Sequence, residues 1–107
     1  MDDDFKLIAE VEGATLILRT DGYINNTGGE RIMEEFSKHS EEGITKVVID
    51  LAKSKVVNSM GISYMIDLIE QLSEHGGKLI FTNLDPTIEK TLDLMGIFQF
   101  AEKESTT

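Results

Sequence analysis

The sequence predicts one α/β domain over residues 1–107, in which a mixed sheet of four or five strands carries its helices mainly on one face. A chain of 107 residues has room for one hydrophobic core and not for two. Its composition, 40% hydrophobic and 28% charged, is that of a globular domain. Short β-branched apolar runs alternate with segments whose apolar residues recur at helical spacing. Strands and helices in this alternation form parallel strand pairs joined by right-handed crossovers.

The first two elements are predicted strands that form an antiparallel hairpin. Residues 5–11 and 15–18 are rich in strand-forming residues, and a tight turn at Glu12-Gly13 joins them. This hairpin adds an antiparallel edge to a sheet that is otherwise parallel. The three aspartates at residues 2–4 precede the first strand and do not follow one, which indicates a solvated tail and not an acidic pocket.

The first helix is predicted to begin at a capping box. Thr27 is assigned as its N-cap, and Glu30, three residues later, reaches back to it. The helix is predicted to end near residues 39–43. Its apolar residues at helical spacing are Ile32, Met33 and Phe36. The Gly28-Gly29 pair beside the cap lacks the fingerprint of a P-loop or of a dinucleotide-binding turn.

The centre of the chain combines a buried strand with the clearest helix. Residues 47–51 form an apolar, mostly β-branched run that is too short for a helix and is predicted to be a central strand. The helix that follows starts at Asn58-Ser59 and ends at residues 75–77, where glycines stop it. The stripe predicted to face the core comprises Ile62, Met65, Ile66, Ile69 and Leu72.

The last third of the chain is predicted to add a strand, a helix and a short final strand. Residues 78–82 form the strand, and Asp85 caps a helix whose first residue is Pro86. The apolar stripe of that helix comprises Ile88, Leu92 and Met95, and Gly96 ends it. Residues 97–100 are assigned to the final strand, and residues 102–107 to a polar tail.

Charge and composition exclude several classes of function. Twenty acidic against ten basic residues give a formal charge of −10, whereas nucleic-acid binders are usually basic. The same negative charge disfavours binding to anionic lipid surfaces. No apolar run approaches the roughly 20 residues of a membrane span. The start of the chain lacks the basic and apolar regions of a signal peptide. We therefore expect a soluble cytoplasmic domain that binds no nucleic acid and inserts into no membrane.

Metal and cofactor sites are not expected either. The chain has no cysteine, which excludes disulfides and thiolate ligands. Its two histidines, His39 and His75, each lie near a predicted helix C-terminus, where they suit the helix dipole. They form no pair at metal-ligand spacing.

Ser59 is the residue of greatest chemical interest because it lies at a strand-to-helix junction. A nucleophile elbow needs glycine two residues before and two after the serine; Gly61 fits this pattern and Val57 does not. His75, about 16 residues along the same helix, would lie roughly 24 Å away, and His39 has no evident orienting partner. A serine hydrolase is therefore a weak alternative. Ser59 could cap the helix, but Asn58 can do so equally well, which would leave the serine hydroxyl free. A phosphate on that hydroxyl would meet the positive end of the helix dipole.

The order of these segments resembles the anti-sigma factor antagonist family, the STAS domain, over nearly the whole chain. The family pattern is a hydrophobic strand that ends in Asp-Leu, followed by Asp-Ser-x-Gly-Leu or Ile at the start of a helix. The segments that carry the resemblance are residues 22–25, 47–51, 56–62, 77–83 and 92–98. Asn58 and Asn25 stand where many members of the family have Asp.

The resemblance implies a non-catalytic, protein-binding switch of bacterial cytoplasm. In the family, the serine that matches Ser59 is phosphorylated by a partner anti-sigma factor that is itself a serine kinase, and phosphorylation releases that partner. Other relatives are small subunits of transport ATPases or scaffold members of stressosome-like complexes, and these roles stay open as alternatives. The oligomeric state stays open as well.

The helix face around Ser59 is the predicted partner-binding surface. At 100° per residue, Met60 and Tyr64 point away from the predicted core stripe and lie one turn apart. Exposed methionine and aromatic residues suit an interface. The residues expected to bind the partner are Asn25, Asn58, Ser59, Met60, Ser63, Tyr64 and Asp67.

Overall fold

Five strands and three α-helices alternate over residues 5–104, the part of the chain that the computed structural model describes. The elements, in order, are β1 (Lys6–Glu12), β2 (Thr15–Asp21), α1 (Asn26–Lys38), β3 (Lys46–Lys53), α2 (Ser59–Ser73), β4 (Lys78–Thr82), α3 (Pro86–Leu94), a 3-10 turn (Ile97–Gln99) and β5 (Glu102–Glu104). None of these helices is long and apolar enough to cross a membrane. The aspartates at residues 2–4 lie outside the described residues. The predicted order of elements is confirmed as far as α3.

The five strands form one mixed sheet whose spatial order, β1-β2-β3-β4-β5, follows the chain. β1 and β2 pair antiparallel, and every later pair is parallel. Because right-handed crossovers add each new strand at the same edge, they also put α1, α2 and α3 on the same face of the sheet. The predicted mixed sheet with helices on one face is confirmed.

A single hydrophobic core lies between this face of the sheet and the helix layer. Leu18, Ile49 and Phe81 are aligned across β2, β3 and β4 and are fully buried, so they form a row at the centre of the sheet. The helices contribute buried apolar residues, among them Ile32, Phe36, Met65, Leu68, Ile88 and Leu92. Ile8, on the opposite face, is exposed.

The rotation of α2 about its axis differs from the predicted one. Its buried residues are Gly61, Ile62, Met65, Leu68 and Leu72. Ile66, which the predicted stripe includes, is 37% exposed. The apolar positions of this helix span a wide arc, and packing against the sheet selects a face about 45° from the predicted one, at 100° per residue. The same rotation turns Tyr64 from the outward side towards α1.

The start of α1 also differs from the prediction. Asn25 is the N-cap, and not Thr27, because its side-chain oxygen accepts a hydrogen bond from the Gly28 N–H at 3.1 Å. Thr27 lies inside the first turn and is exposed. The chain remains extended through Ile24, which pairs with Val57 beside it. Asn25 is therefore the last extended residue and takes the capping position.

The start of α3 is confirmed and its stripe is corrected. Asp85 caps the helix and Pro86 is its first residue, as predicted. Met95, which the predicted stripe includes, is mostly exposed. The helix has ended before this residue, and Gly96, with a φ of 75°, turns the chain away. Met95 therefore no longer follows the buried stripe.

The C-terminal elements correct two further predictions. Ile97–Gln99 form a turn of 3-10 helix in place of the predicted strand, and Glu102–Glu104, assigned to a polar tail, form the edge strand β5. A charged edge strand lacks the apolar alternation by which strands are identified. The Lys103 ammonium donates to the Glu89 carboxylate at 2.6 Å, and this hydrogen bond raises the pKa of Lys103. The same ammonium lies 5.0 Å from the centre of the Phe98 ring, so side-chain contacts secure the strand.

Candidate functional site

The N-termini of α1 and α2 lie side by side, beyond the C-terminal ends of β2 and β3. Ile24, between β2 and α1, pairs in parallel with Val57, between β3 and α2. The Ile24 N–H donates to the Val56 carbonyl at 3.0 Å, and the Asn58 N–H donates to the Ile24 carbonyl at 3.1 Å. These bonds extend the parallel alignment of β2 and β3, so they fix the first residues of the two helices relative to each other.

Both helices are capped by a neutral asparagine. The Asn25 side chain accepts from the Gly28 N–H at 3.1 Å, and the Asn58 side chain accepts from the Gly61 N–H at 2.9 Å. Neither helix has an acidic residue in its first turn. The positive ends of the two helix dipoles are therefore not compensated by a carboxylate of their own helices, although the chain as a whole is strongly acidic.

Two glycines permit the close approach of these elements. A Cβ atom on Gly61 would lie 2.5 Å from the carbonyl oxygen of Ile24. A Cβ atom on Gly29 would lie 2.6 Å from the ring of Tyr64, which reaches across from α2. The glycines of this region, which have no phosphate-binding fingerprint, therefore serve helix and strand packing.

Ser59 is the first residue of α2, and its side chain is exposed. Because Asn58 supplies the cap, the Ser59 hydroxyl is not needed for it, and it makes no hydrogen bond within residues 5–104. Its carbonyl accepts from the Ser63 hydroxyl at 3.1 Å. The backbone N–H groups of Ser59 and Met60 have no partner in the described chain either. The site is thus a free hydroxyl beside unpaired backbone donors.

The other predicted partner-binding residues of α2 divide into two groups. Met60 is 48% exposed, and Ser63 and Asp67 are exposed on the following turns. Tyr64 is half-buried, with its ring against Gly29 of α1. The expectation that Tyr64 points outward is wrong, because α2 is rotated as described above.

Sequence reasoning missed two exposed apolar residues beside the caps. Tyr23 and Val56 precede the buried residues Ile24 and Val57, and they are 47% and 52% exposed. They line a shallow depression of about 520 Å³ together with Gly22, Lys53 and Lys55. Strand alternation is the signal that could have identified them: when Ile24 and Val57 point inward, the residues before them point outward.

The two histidines lie far from Ser59. His39 caps the C-terminal end of α1 and contacts Glu42 at 2.9 Å; the rise of that helix puts it about 20 Å from the N-terminus. His75 follows the C-terminal end of α2 and hydrogen-bonds to the Gln71 carbonyl at 3.1 Å. In the part of the chain that is described, no cluster of three or more His, Cys, Asp or Glu residues could hold a metal ion.

The sheet with its helices on one face, the paired asparagine caps and the free serine agree with the STAS domain that the sequence resembles. The chain belongs to the STAS domain family, whose family model matches residues 6–107. The predicted family is therefore confirmed.

A curated relative and several solved structures resemble this chain. BtrV of Bordetella bronchiseptica, named as a candidate anti-sigma factor antagonist, is 24% identical over 91 residues, which cover 85% of this chain and 78% of BtrV. The anti-sigma factor antagonist SpoIIAA in its unphosphorylated form has a TM-score of 0.74 at 22% identity, covering 96% of this chain and 89% of that one. The phosphorylated form from Bacillus gives 0.74 at 20% identity, with 96% and 91% covered. A candidate antagonist of Thermotoga maritima gives 0.83 at 15% identity, with 94% and 86% covered. These structures have the same fold.

Proposed function

We propose that this chain is an anti-sigma factor antagonist that acts as a protein-binding switch and not as a catalyst. In its unmodified form it binds an anti-sigma factor that is a serine kinase, in a bacterial cytoplasm, and phosphorylation of Ser59 releases that partner. The free Ser59 hydroxyl is the observation that carries the proposal. Because Asn58 makes the cap, the serine can be modified without loss of the helix start.

The docking surface of this proposal surrounds Ser59. Exposed apolar side chains provide its contact area: Tyr23 and Val56 from the strand ends and Met60 from α2. The remaining members, at the caps and along α2, are Asn25, Asn58, Ser63 and Asp67. Tyr64 supports this surface by holding α2 against α1 and does not present its ring to the partner.

Two lysines indicate the chemistry of the partner. Lys53 and Lys55 line the depression beside Tyr23 and Val56, and neither forms an ion pair within residues 5–104. Together with the uncompensated helix N-termini, they supply positive groups beside Tyr23 and Val56 on a chain of net charge −10, where Asp21 is the strand neighbour of Lys53. We therefore expect acidic side chains on the part of the kinase that docks here.

A phosphate on Ser59 would oppose that docking without unfolding the domain. It carries a charge of about −1.5 to −2 and would lie beside the unpaired N–H groups of Ser59 and Met60. Anions at a helix N-terminus are favoured, so the fold tolerates the modification. The acidic groups of the partner, in contrast, would face a new negative charge, and such like-charge contacts cost several kcal/mol.

The test uses the purified chain, the serine-kinase anti-sigma factor of the same organism, and ATP. We expect mass spectrometry to find the phosphate on Ser59, and calorimetry to find at least about 100-fold weaker binding of the phosphorylated protein, or about 2.7 kcal/mol. Ser59→Ala should bind the kinase and resist phosphorylation. Ser59→Asp should fold and bind more weakly than wild type, with a smaller effect than phosphate because it carries one charge.

Ser37→Ala is the matched control, since it removes an exposed serine hydroxyl on α1, outside the docking surface. It should be phosphorylated and released like the wild type. Phosphate found on another residue, or equal affinity before and after modification of Ser59, would show that the switch is wrong.

A further inference from the structure

A second exposed apolar surface lies at the other end of α2. A groove of about 330 Å³ runs between this helix and the segment that follows α3. The residues that line it include Ile66, Ile69, Glu70, Ser73, Met95 and Phe100. Phe100 is 72% exposed, and Leu94, next to Met95, is 77% exposed. Contiguous exposed apolar side chains with a polar rim are typical of interaction sites. We refer to this feature as the C-terminal groove.

The rim of the C-terminal groove is negative. Glu70 lines it, and Asp67 and Glu74 lie one turn to either side on the exposed surface of α2. None of these three carboxylates forms an ion pair in the described part of the chain. α2 and α3 both end at the groove, and neither has a basic residue in its last turn. The negative ends of two helix dipoles therefore add to the carboxylates.

We propose that the C-terminal groove binds an amphipathic helix of a partner protein, one whose apolar stripe is flanked by Lys and Arg. The apolar stripe would lie on Ile66, Met95 and Phe100, and the cations would face Glu70 and the helix ends. Helix and turn residues line the groove, and no strand residue does, so strand addition is not available and a helix in the groove is the fitting mode. From Ile66 to Ser73 the groove follows about 10 Å of α2, or two turns.

Charge favours this occupant over two others. A second copy of the chain, joined groove to groove, would bring the Glu70 carboxylates and the helix C-termini of both copies together, and each copy carries a net charge of −10. An anionic membrane surface would be repelled in the same way. The inference does not depend on the proposed function, because no residue that lines the C-terminal groove belongs to the docking surface around Ser59. Asp67, which belongs to that surface, only borders the groove.

The experiment uses the full chain, labelled with nitrogen-15, and a synthetic 18-residue helical peptide with leucine at i, i+3, i+4 and i+7 positions and lysine elsewhere. We expect the amide shifts to change in the second half of α2 and in residues 94–101, and not around Ser59. The affinity should fall as salt is added, since the carboxylates of the rim are exposed. A peptide with glutamate in place of lysine should not bind.

Matched variants separate the groove from the overall charge. Glu70→Lys should weaken peptide binding at least about tenfold, whereas Glu34→Lys, an exposed change of the same charge on α1, should have a much smaller effect. Phe100→Ser removes an exposed ring of the groove and should also weaken binding at least about tenfold. Ile8→Ser, an exposed change on the far face of the sheet, should not.

Four outcomes would overturn the proposal. The first is absence of binding by the lysine peptide, and the second is equal binding by the glutamate peptide. The third is an equal loss from Glu70→Lys and Glu34→Lys, which would indicate attraction by net charge alone. The fourth is a concentration-dependent dimer in sedimentation that Phe100→Ser abolishes, because a second copy would then be the occupant.

Discussion

Replacing Gly61 by alanine tests the contact that holds the two helix N-termini together. In a helix without constraints, Gly→Ala stabilises by about 1 kcal/mol. In this structure the new Cβ would lie 2.5 Å from the Ile24 carbonyl oxygen and 3.0 Å from Cγ2 atoms of Ile24 and Val57. The carbonyl belongs to the backbone, so no rotamer change relieves the clash.

The expected magnitude follows from what must move. Overpacking of this kind typically costs about 1–3 kcal/mol. Separation of the two segments also weakens the hydrogen bonds of Ile24 with Val56 and Asn58, at about 1 kcal/mol each. After the helix-propensity gain is subtracted, we expect Gly61→Ala to lose about 2 kcal/mol, or about 10 °C in Tm.

Urea denaturation and thermal melting measure this loss. Ser63→Ala, an exposed change in the same helix, is the control and should stay within about 0.5 kcal/mol of wild type. If Gly61→Ala were as stable as the wild type, or more stable, Gly61 would be an ordinary helix glycine and the close approach of α2 to Ile24 would be refuted.

Two further predictions concern the rotation of α2. Leu68→Ala should lose about 3 kcal/mol because Leu68 is fully buried, whereas Ile66→Ala should lose less than about 1 kcal/mol in the same denaturation assay; the reverse order would contradict the observed rotation. Tyr64→Ala should lower the Tm because it removes the ring that packs on Gly29. Met60→Ala should leave the Tm unchanged. It should weaken binding of the kinase, measured by calorimetry, by at least about 1 kcal/mol. A Tyr64 variant that melts like the wild type would contradict its packing role.

Helices and strands whose ends depend on neighbouring residues are predicted well from the sequence. The apolar run at residues 47–51, which is mostly β-branched and too short for a helix, lies within β3, the central strand of the sheet, as predicted. Asn58 supplies the cap of α2, and it is one of the two cap candidates, Asn58 and Ser59, that the sequence offers at this helix start. Both features depend on residues within one turn or one strand, so no distant contact is needed to infer them.

The predictions from the sequence are wrong where contacts between residues far apart in the chain determine the structure. Six apolar positions lie between residues 62 and 72 of α2, and only the packed sheet determines that Leu68 is inside and Ile66 is at the edge. The cap of α1 depends on the pairing of Ile24 with Val57, which lies in the segment between β3 and α2. β5 has no apolar residue, and it is a strand because β4 offers it a free edge. None of these contacts can be inferred from the residues adjacent in sequence.

The two ends of α2 have opposite electrostatic character, and the helix keeps them apart. At the N-terminus, the neutral cap Asn58 leaves the positive dipole end uncompensated; at the C-terminus, Glu70 adds to the negative end. From Ser59 to Glu70 the helix rises about 16 Å, about twice the Debye length of roughly 8 Å at physiological ionic strength. A phosphate on Ser59 is therefore largely screened at the C-terminal groove. Phosphorylation of Ser59, as proposed, releases the kinase from the N-terminal end of α2. It does not change the proposed attraction between the C-terminal groove and a basic helix.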